Sequence, residues 1–184
     1  TKFEQNEFEG ALVILDEAEK VLEKLPDTPF TLRESGMTHQ VRAKIKFGEH
    51  SYTEASQLFS NALELLLLHG TKQEIAETWR LLGEVQIRLN KPDYAYQAMQ
   101  QCRELAQSSI NLEEIIYCNQ TMASILLRTG DRMDEAEKLL HEAIEIGGKL
   151  PNSDNLLAEL QLMLGDVLLQ SNKTNEAKEI LKTV

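Results

Sequence analysis

Trp79-Arg80-Leu81-Leu82-Gly83, followed by Ala95, Met99 and Cys102, is the stretch whose reading decides the fold. A glycine inside a run of good helix formers costs about 1 kcal/mol relative to alanine, so Gly83 predicts a close approach of another helix. Ala95, Met99 and Cys102 are spaced by four and three, which places them on one helical face. Between the two groups stands Asn90-Lys91-Pro92-Asp93, a turn. The unit is therefore two helices folded back on each other, nested through small side chains.

Working outward, the same pattern returns along the chain. The second-helix triplet appears as Ala11-Leu15-Ala18, Ala55-Phe59-Ala62, Ala95-Met99-Cys102, Ala136-Leu140-Ala143 and Ala177-Leu181-Val184, its leading alanines 44, 40, 41 and 41 residues apart. Small residues precede four of these alanines by twelve or thirteen positions: Ala43, Gly83, Ala123 and Gly165. The position before each is Arg42, Leu82, Met122 and Leu164, so only Arg42 departs from an apolar face. Its stem lies on apolar surface with the charged head in water, or that repeat is irregular.

The links between paired helices repeat as well: Asn6-Glu7-Phe8-Glu9, His50-Ser51-Tyr52-Thr53, Asn90-Lys91-Pro92-Asp93, Gly130-Asp131-Arg132-Met133-Asp134 and Asn172-Lys173-Thr174-Asn175. Gly and Asn suit the left-handed conformation that ends a helix. The extra residue of the fourth link accounts for the one spacing of thirteen. Ser51-x-x-Glu54 predicts a capping box, and Thr71-x-x-Glu74 and Asn111-x-x-Glu114 predict further helix starts. Gly70 and Gly147-Gly148 are stops, and the four prolines, Pro26, Pro29, Pro92 and Pro151, fall in loops or at helix starts.

The Trp79–Gly83 copy resembles the tetratricopeptide repeat (TPR) signature W-x2-L-G followed by A-x3-F-x2-A. The period of 40–41 is longer than the 34 residues of the commonest form, with the surplus in the helices rather than in the hairpin turn. Such long-helix repeats resemble those of kinesin light chains, spindle-orientation adaptors and bacterial peptide-pheromone receptors. HEAT and armadillo repeats share the period range, but the fixed offset and paired alanines favour TPR. The resemblance implies an all-α solenoid of about nine helices in antiparallel pairs, wound into a right-handed superhelix with a concave groove. One repeat domain spans 1–184, with a partial repeat at 1–27 and repeats at about 30–70, 72–109, 111–149 and 154–184. The chain opens at the tail of a first helix (1–5), its partner running from about Phe8 to Leu25, and closes within another, so a fragment of a longer protein is expected.

Composition agrees. Apolar residues are 42%, mostly Leu, Ile and Ala, charged residues 27% and aromatics 5%. The net charge of −11 argues against nucleic acid or an anionic membrane as direct partner. The most apolar run, Ala62-Leu63 and Leu65 to Leu68, is broken by Glu64 and ends at His69-Gly70, too short for a span. Cys102 and Cys118 do not make a disulfide framework and read as reduced thiols of a cytoplasmic protein, Cys102 as a small core residue.

Catalytic signatures are absent from the sequence. His141-Glu142-Ala143-Ile144-Glu145 lacks the second histidine of a zincin, His39, His50 and His69 are scattered, and no phosphate loop, Cys-x-x-Cys or nucleophile elbow occurs. No enzyme, cofactor or metal is expected. The sequons at Asn119 and Asn172 are discounted, Asn119 because it takes the packing position of Trp79.

The family's groove is lined by the first helix of each repeat. Carried over, that places Gln40, Lys44 and Phe47; Arg80, Glu84 and Arg88; Tyr117, Gln120, Ser124 and Arg128; and Leu162, Asp166 and Gln170 toward a protein or peptide partner. Arg88 and Arg128 recur at one repeat position and suit carboxylates. The alternative is that these are solvated surface residues. The family's Lys-then-Asn carboxylate clamp is not matched, since its positions read Gln40/Lys44, Arg80/Glu84, Gln120/Ser124 and Leu162/Asp166. The basic run Arg33, His39, Arg42, Lys44 and Lys46 suits an acidic partner, a solvated helix face being the plainer reading. The expected function is a protein- or peptide-binding scaffold. The alternative is the peptide-sensing domain of a bacterial transcriptional regulator or signalling protein. Self-association through exposed solenoid ends is a further expectation.

Overall fold

The computed structural model describes residues 2–182, with side chains from residue 10 onward. Nine helices are described: α1 (Lys2–Leu22), α2 (Pro29–Gly48), α3 (Tyr52–His69), α4 (Lys72–Arg88), α5 (Pro92–Ser108), α6 (Leu112–Thr129), α7 (Met133–Gly147), α8 (Asp154–Gln170) and α9 (Thr174–Ile180). No strand occurs among the described residues. None of these helices is long and apolar enough to cross a membrane.

The helix ends follow their local chemistry. Thr28 opens α2, its hydroxyl accepting the Thr31 N–H at 3.2 Å while Thr31 Oγ1 accepts the Thr28 N–H at 2.9 Å, with Pro29 in the first turn. Thr71 opens α4 in the expected capping box: Glu74 accepts the Thr71 N–H at 2.9 Å and Thr71 accepts the Glu74 N–H at 3.3 Å. Asn111 Oδ1 accepts the Glu114 N–H at 3.2 Å at the start of α6. The links between helices turn through left-handed residues at His50 (φ 62°), Asn90 (φ 55°), Gly130 (φ 72°) and Asn172 (φ 59°). Arg132 (φ 49°) accommodates the extra residue of the fourth link.

Two local expectations are corrected. Ser51 stands at the start of α3 but makes no side-chain capping bond; the Glu54 carboxylate lies 3.7 Å from Lys46 Nζ instead. Asn6-Glu7-Phe8-Glu9 is not a link, because α1 runs unbroken from Lys2 to Leu22. That segment has neither Gly nor Pro, and one Asn among good helix formers costs too little to stop a helix. Val184, the last member of the fifth triplet, lies outside the described residues.

The chain separates into two compact units, Thr1–Ala98 and Met99–Val184. In the first, α2 packs on α1 and α3, α3 packs on α4, and α2 also touches α4. In the second, α6 packs on α7, α7 on α8 and α8 on α9, and α6 also touches α8. First helices of consecutive pairs are thus neighbours in both units. The repeat residues form the cores: Ala43, Ala55, Phe59, Ala62 and Ala95 in the first, Met99, Cys102, Ala123, Ala136, Leu140, Ala143 and Ala177 in the second, all fully buried. Gly83 and Gly165 are buried too. A Cβ on Gly165 would meet Leu181 Cδ2 at 2.8 Å, the close approach its sequence position implies.

Gly36, which the repeat pattern does not single out, is a second such contact: a Cβ there would lie 2.9 Å from Leu66 Cγ and 3.2 Å from Leu65 Cβ. The first triplet, Ala11, Leu15 and Ala18, is only half-buried, and Val13, Ile14 and Val21 of α1 are exposed. Arg42 keeps its stem at the core edge and reaches α1, its guanidinium 2.7 Å from Asp16 Oδ1 and 2.9 Å from Glu19 Oε2.

Candidate partner-binding cleft

The face where first helices meet is built differently in the two units. Between α2 and α4 it is closed by polar contacts. Arg33 pairs with Glu74, its Nε donating to Oε2 at 3.0 Å. Gln40 Nε2 donates to Thr78 Oγ1 at 2.7 Å, and Lys44 Nζ donates to Glu77 Oε1 at 2.7 Å. Gln40 is fully buried, a correction to its expected place on an exposed groove wall. Its amide nitrogen is spent on that packing contact with Thr78. The Arg33 hydrogen bonds, with those of Thr71, hold the Glu74 carboxyl below the ordinary carboxylate range despite its partial burial. The basic run is largely spent inside the unit, with Lys46 on Glu49 at 2.8 Å and Arg42 on α1.

Between α6 and α8 the corresponding positions carry different residues. Counting back from the small residue of each helix, Arg33 corresponds to Glu113, Gln40 to Gln120, Glu74 to Leu156 and Thr78 to Leu160. Neither the ion pair nor the amide–hydroxyl bond is available to that set. A cleft of about 210 Å³ opens there, lined by Glu113, Ile116, Tyr117, Gln120, Leu150 and Leu156. Among the described residues, neither the Gln120 amide nor the Glu113 carboxylate has a hydrogen-bond or ion-pair partner. The walls are otherwise apolar, so the cleft offers desolvation to an apolar group, an amide to a peptide backbone and a carboxylate at its edge.

Of the sequence-derived set, Tyr117 and Gln120 are brought together in this cleft. Ser124 and Arg128 are exposed and continue the same stripe of α6, three to four residues apart. Leu162, Asp166 and Gln170 form an exposed stripe on α8, Leu162 being 49% exposed. In the first unit Arg80 donates to Glu84 at 2.6 Å, Phe47 meets Tyr52 in a tilted ring contact with centroids 5.6 Å apart, Lys44 is held by Glu77, and Arg88 is exposed. Sequence reasoning missed Glu113, Ile116, Leu150 and Leu156. Glu113 was legible as one turn before Tyr117 on the same stripe; Leu150 lies in the α7–α8 link, and no periodicity places a link.

The comparisons with known proteins agree with the repeat reading. Residues 114–184 match the family model described as tetratricopeptide repeat. The fold is of the TPR type. Among solved structures, BtubC (BKLC) from P. vanneervenii is 16% identical with a TM-score of 0.80, over 97% of this chain and 72% of that one. RapI in its apo form is 14% identical with a TM-score of 0.79, over 99% of this chain and 64% of that one. YrrB, described as a TPR protein with an unusual peptide-binding site, is 19% identical with a TM-score of 0.63, over 93% of this chain and 78% of that one. At such identities the likeness is one of fold. No curated protein matches this sequence.

Proposed function

We propose that this chain is a protein- or peptide-binding module, and that the α6–α8 cleft seats a bulky apolar side chain of the bound segment. The observation that carries the reading is the replacement of the α2–α4 polar contacts by Glu113, Gln120 and Leu156 at the corresponding positions. Apolar walls supply affinity by excluding water, and the Gln120 amide bonds the segment's backbone and so sets its direction. Glu113 at the cleft edge, with Glu159 exposed one turn beyond Leu156, favours a segment with Lys or Arg beside its apolar anchor. The overall charge of −11 steers the same choice. Further along α6, Arg128 is placed to take a carboxylate of the same segment.

A display selection of random peptides against the chain tests this. Enriched peptides should combine a bulky apolar residue with a basic neighbour. Tyr117→Ala should weaken them by about tenfold or more, on the order of 1.4 kcal/mol. Glu113→Gln should reduce the salt dependence of binding. Enriched peptides that bind Tyr117→Ala as tightly as the unaltered chain would overturn the cleft assignment.

A further inference from the structure

Cys102 on α5 and Cys118 on α6 are both fully buried, and Glu114 stands one helical turn before Cys118 on the same face. Their two Sγ atoms and a Glu114 carboxylate oxygen all lie within 4.8 Å of one another. The Cys102 thiol donates to Glu114 Oε1 at 3.3 Å. Core packing at a small-residue position explains why Cys102 is buried. It does not explain a carboxylate and a second thiol converging on the same point.

From this convergence we infer that Cys102, Cys118 and Glu114 form a site for a thiophilic divalent cation of the Zn²⁺ class, two thiolates and one carboxylate binding it with a fourth position left to water. The geometry is near what that needs. Zn–S bonds of about 2.3 Å and Zn–O bonds of about 2.0–2.2 Å, held tetrahedrally, set the three ligand atoms some 3.5–3.8 Å apart, against 3.3 Å between Cys102 Sγ and Glu114 Oε1 and an upper bound of 4.8 Å for the whole set. Glu114 is the half-buried member, in the first turn of α6, so it gives the ion its way in. The neighbouring cation on α5, Arg103, gives its guanidinium to Glu142 at 2.5 Å.

The protonation chemistry separates this reading from a disulfide switch. The hydrogen bond with Cys118, burial, and the Glu114 carboxylate all push the Cys102 thiol up, so without a cation it stays protonated. A protonated thiol is a poor nucleophile toward an oxidant. A bound divalent ion reverses the local field and displaces the thiol protons, two being released for each ion taken up.

The test is titration of the reduced chain with Cd²⁺, followed by sulfur-to-cadmium charge-transfer absorption in the ultraviolet and by proton release in a weakly buffered solution. One equivalent of Cd²⁺ and about two protons per chain are expected. Zn²⁺ added afterwards should compete the band away. Cys118→Ser and, separately, Cys102→Ala, which keeps the small residue the core needs, should each abolish the one-equivalent endpoint. Glu114→Gln should weaken binding by at least about tenfold, the loss that even an outer-shell partner gives. No absorption band with the unaltered chain, or a band retained in Cys102→Ala, would overturn the site.

Discussion

Replacing Gly36 by alanine sets two opposing effects against each other, and the structure says which prevails. A helix-interior Gly→Ala change gains about 1 kcal/mol of helix propensity. At Gly36 the new methyl would lie 2.9 Å from Leu66 Cγ, 3.1 Å from Leu66 Cδ2 and 3.2 Å from Leu65 Cβ. Leu66 is fully buried and has nowhere to swing, and Leu65 Cβ moves only if the α3 backbone moves. Overpacking of this kind costs about 1–3 kcal/mol, so Gly36→Ala should be neutral to destabilising by about 2 kcal/mol. Gly10, inside α1, is the internal control: a Cβ there meets nothing within 4 Å, and Gly10→Ala should gain up to about 1 kcal/mol.

Propensity cancels between the two variants, leaving the overpacking cost of about 1–3 kcal/mol, or roughly 2–12 °C in Tm for a chain of this size. Urea unfolding followed by Trp79 fluorescence reads the same unit of the fold. Adding Leu66→Met to Gly36→Ala should recover part of the loss, because an unbranched side chain bends away from the added methyl. If Gly36→Ala stabilises as much as Gly10→Ala, α2 and α3 do not approach as described, and the argument that small residues mark helix contacts fails.

Acid should weaken the α2–α4 contact. The Glu74 carboxyl is held low by Arg33, so its contribution is present above the ordinary carboxylate pKa of about 4.3 and is lost as pH falls through the lowered folded value. Glu74→Gln should therefore unfold with a shallower dependence on pH in that acidic window, which a series of urea midpoints would show. Asn119 is fully buried and neither amide atom is hydrogen-bonded among the described residues, so Asn119→Leu should stabilise by about 1–3 kcal/mol; a loss of stability would mean the amide has a partner. Arg42→Gln should free α1 from α2 and raise its susceptibility to limited proteolysis, the more so because Asp16 and Glu19 are then left without their cation.

How much was legible depends on how local the cause is. Thr71 with Glu74, and Asn111 with Glu114, announce helix starts because the bonds involved span three residues. Ser51 with Glu54 announces one equally well but makes no such bond, since Lys46 draws Glu54 across the turn. Ala43, Gly83, Ala123 and Gly165 were readable as contacts because the repeat returns them, whereas Gly36 interrupts no pattern and its contact with Leu66 appears only when α2 meets α3. Cys102 and Cys118 are sixteen residues apart and match no ligand spacing, so their convergence with Glu114 depends on how α5 lies against α6.

By itself the sequence determined the helices, their turns and the small residues through which they nest, because those follow from periodicity, capping and turn chemistry over a few residues. Only the tertiary structure decided that Gln40 is spent inside one unit while Gln120 faces a cleft in the other. Their local sequence positions are equivalent. The difference is made by the residue opposite, Thr78 in one case and Leu160 in the other, and pairing across helices is a long-range fact that no local pattern encodes.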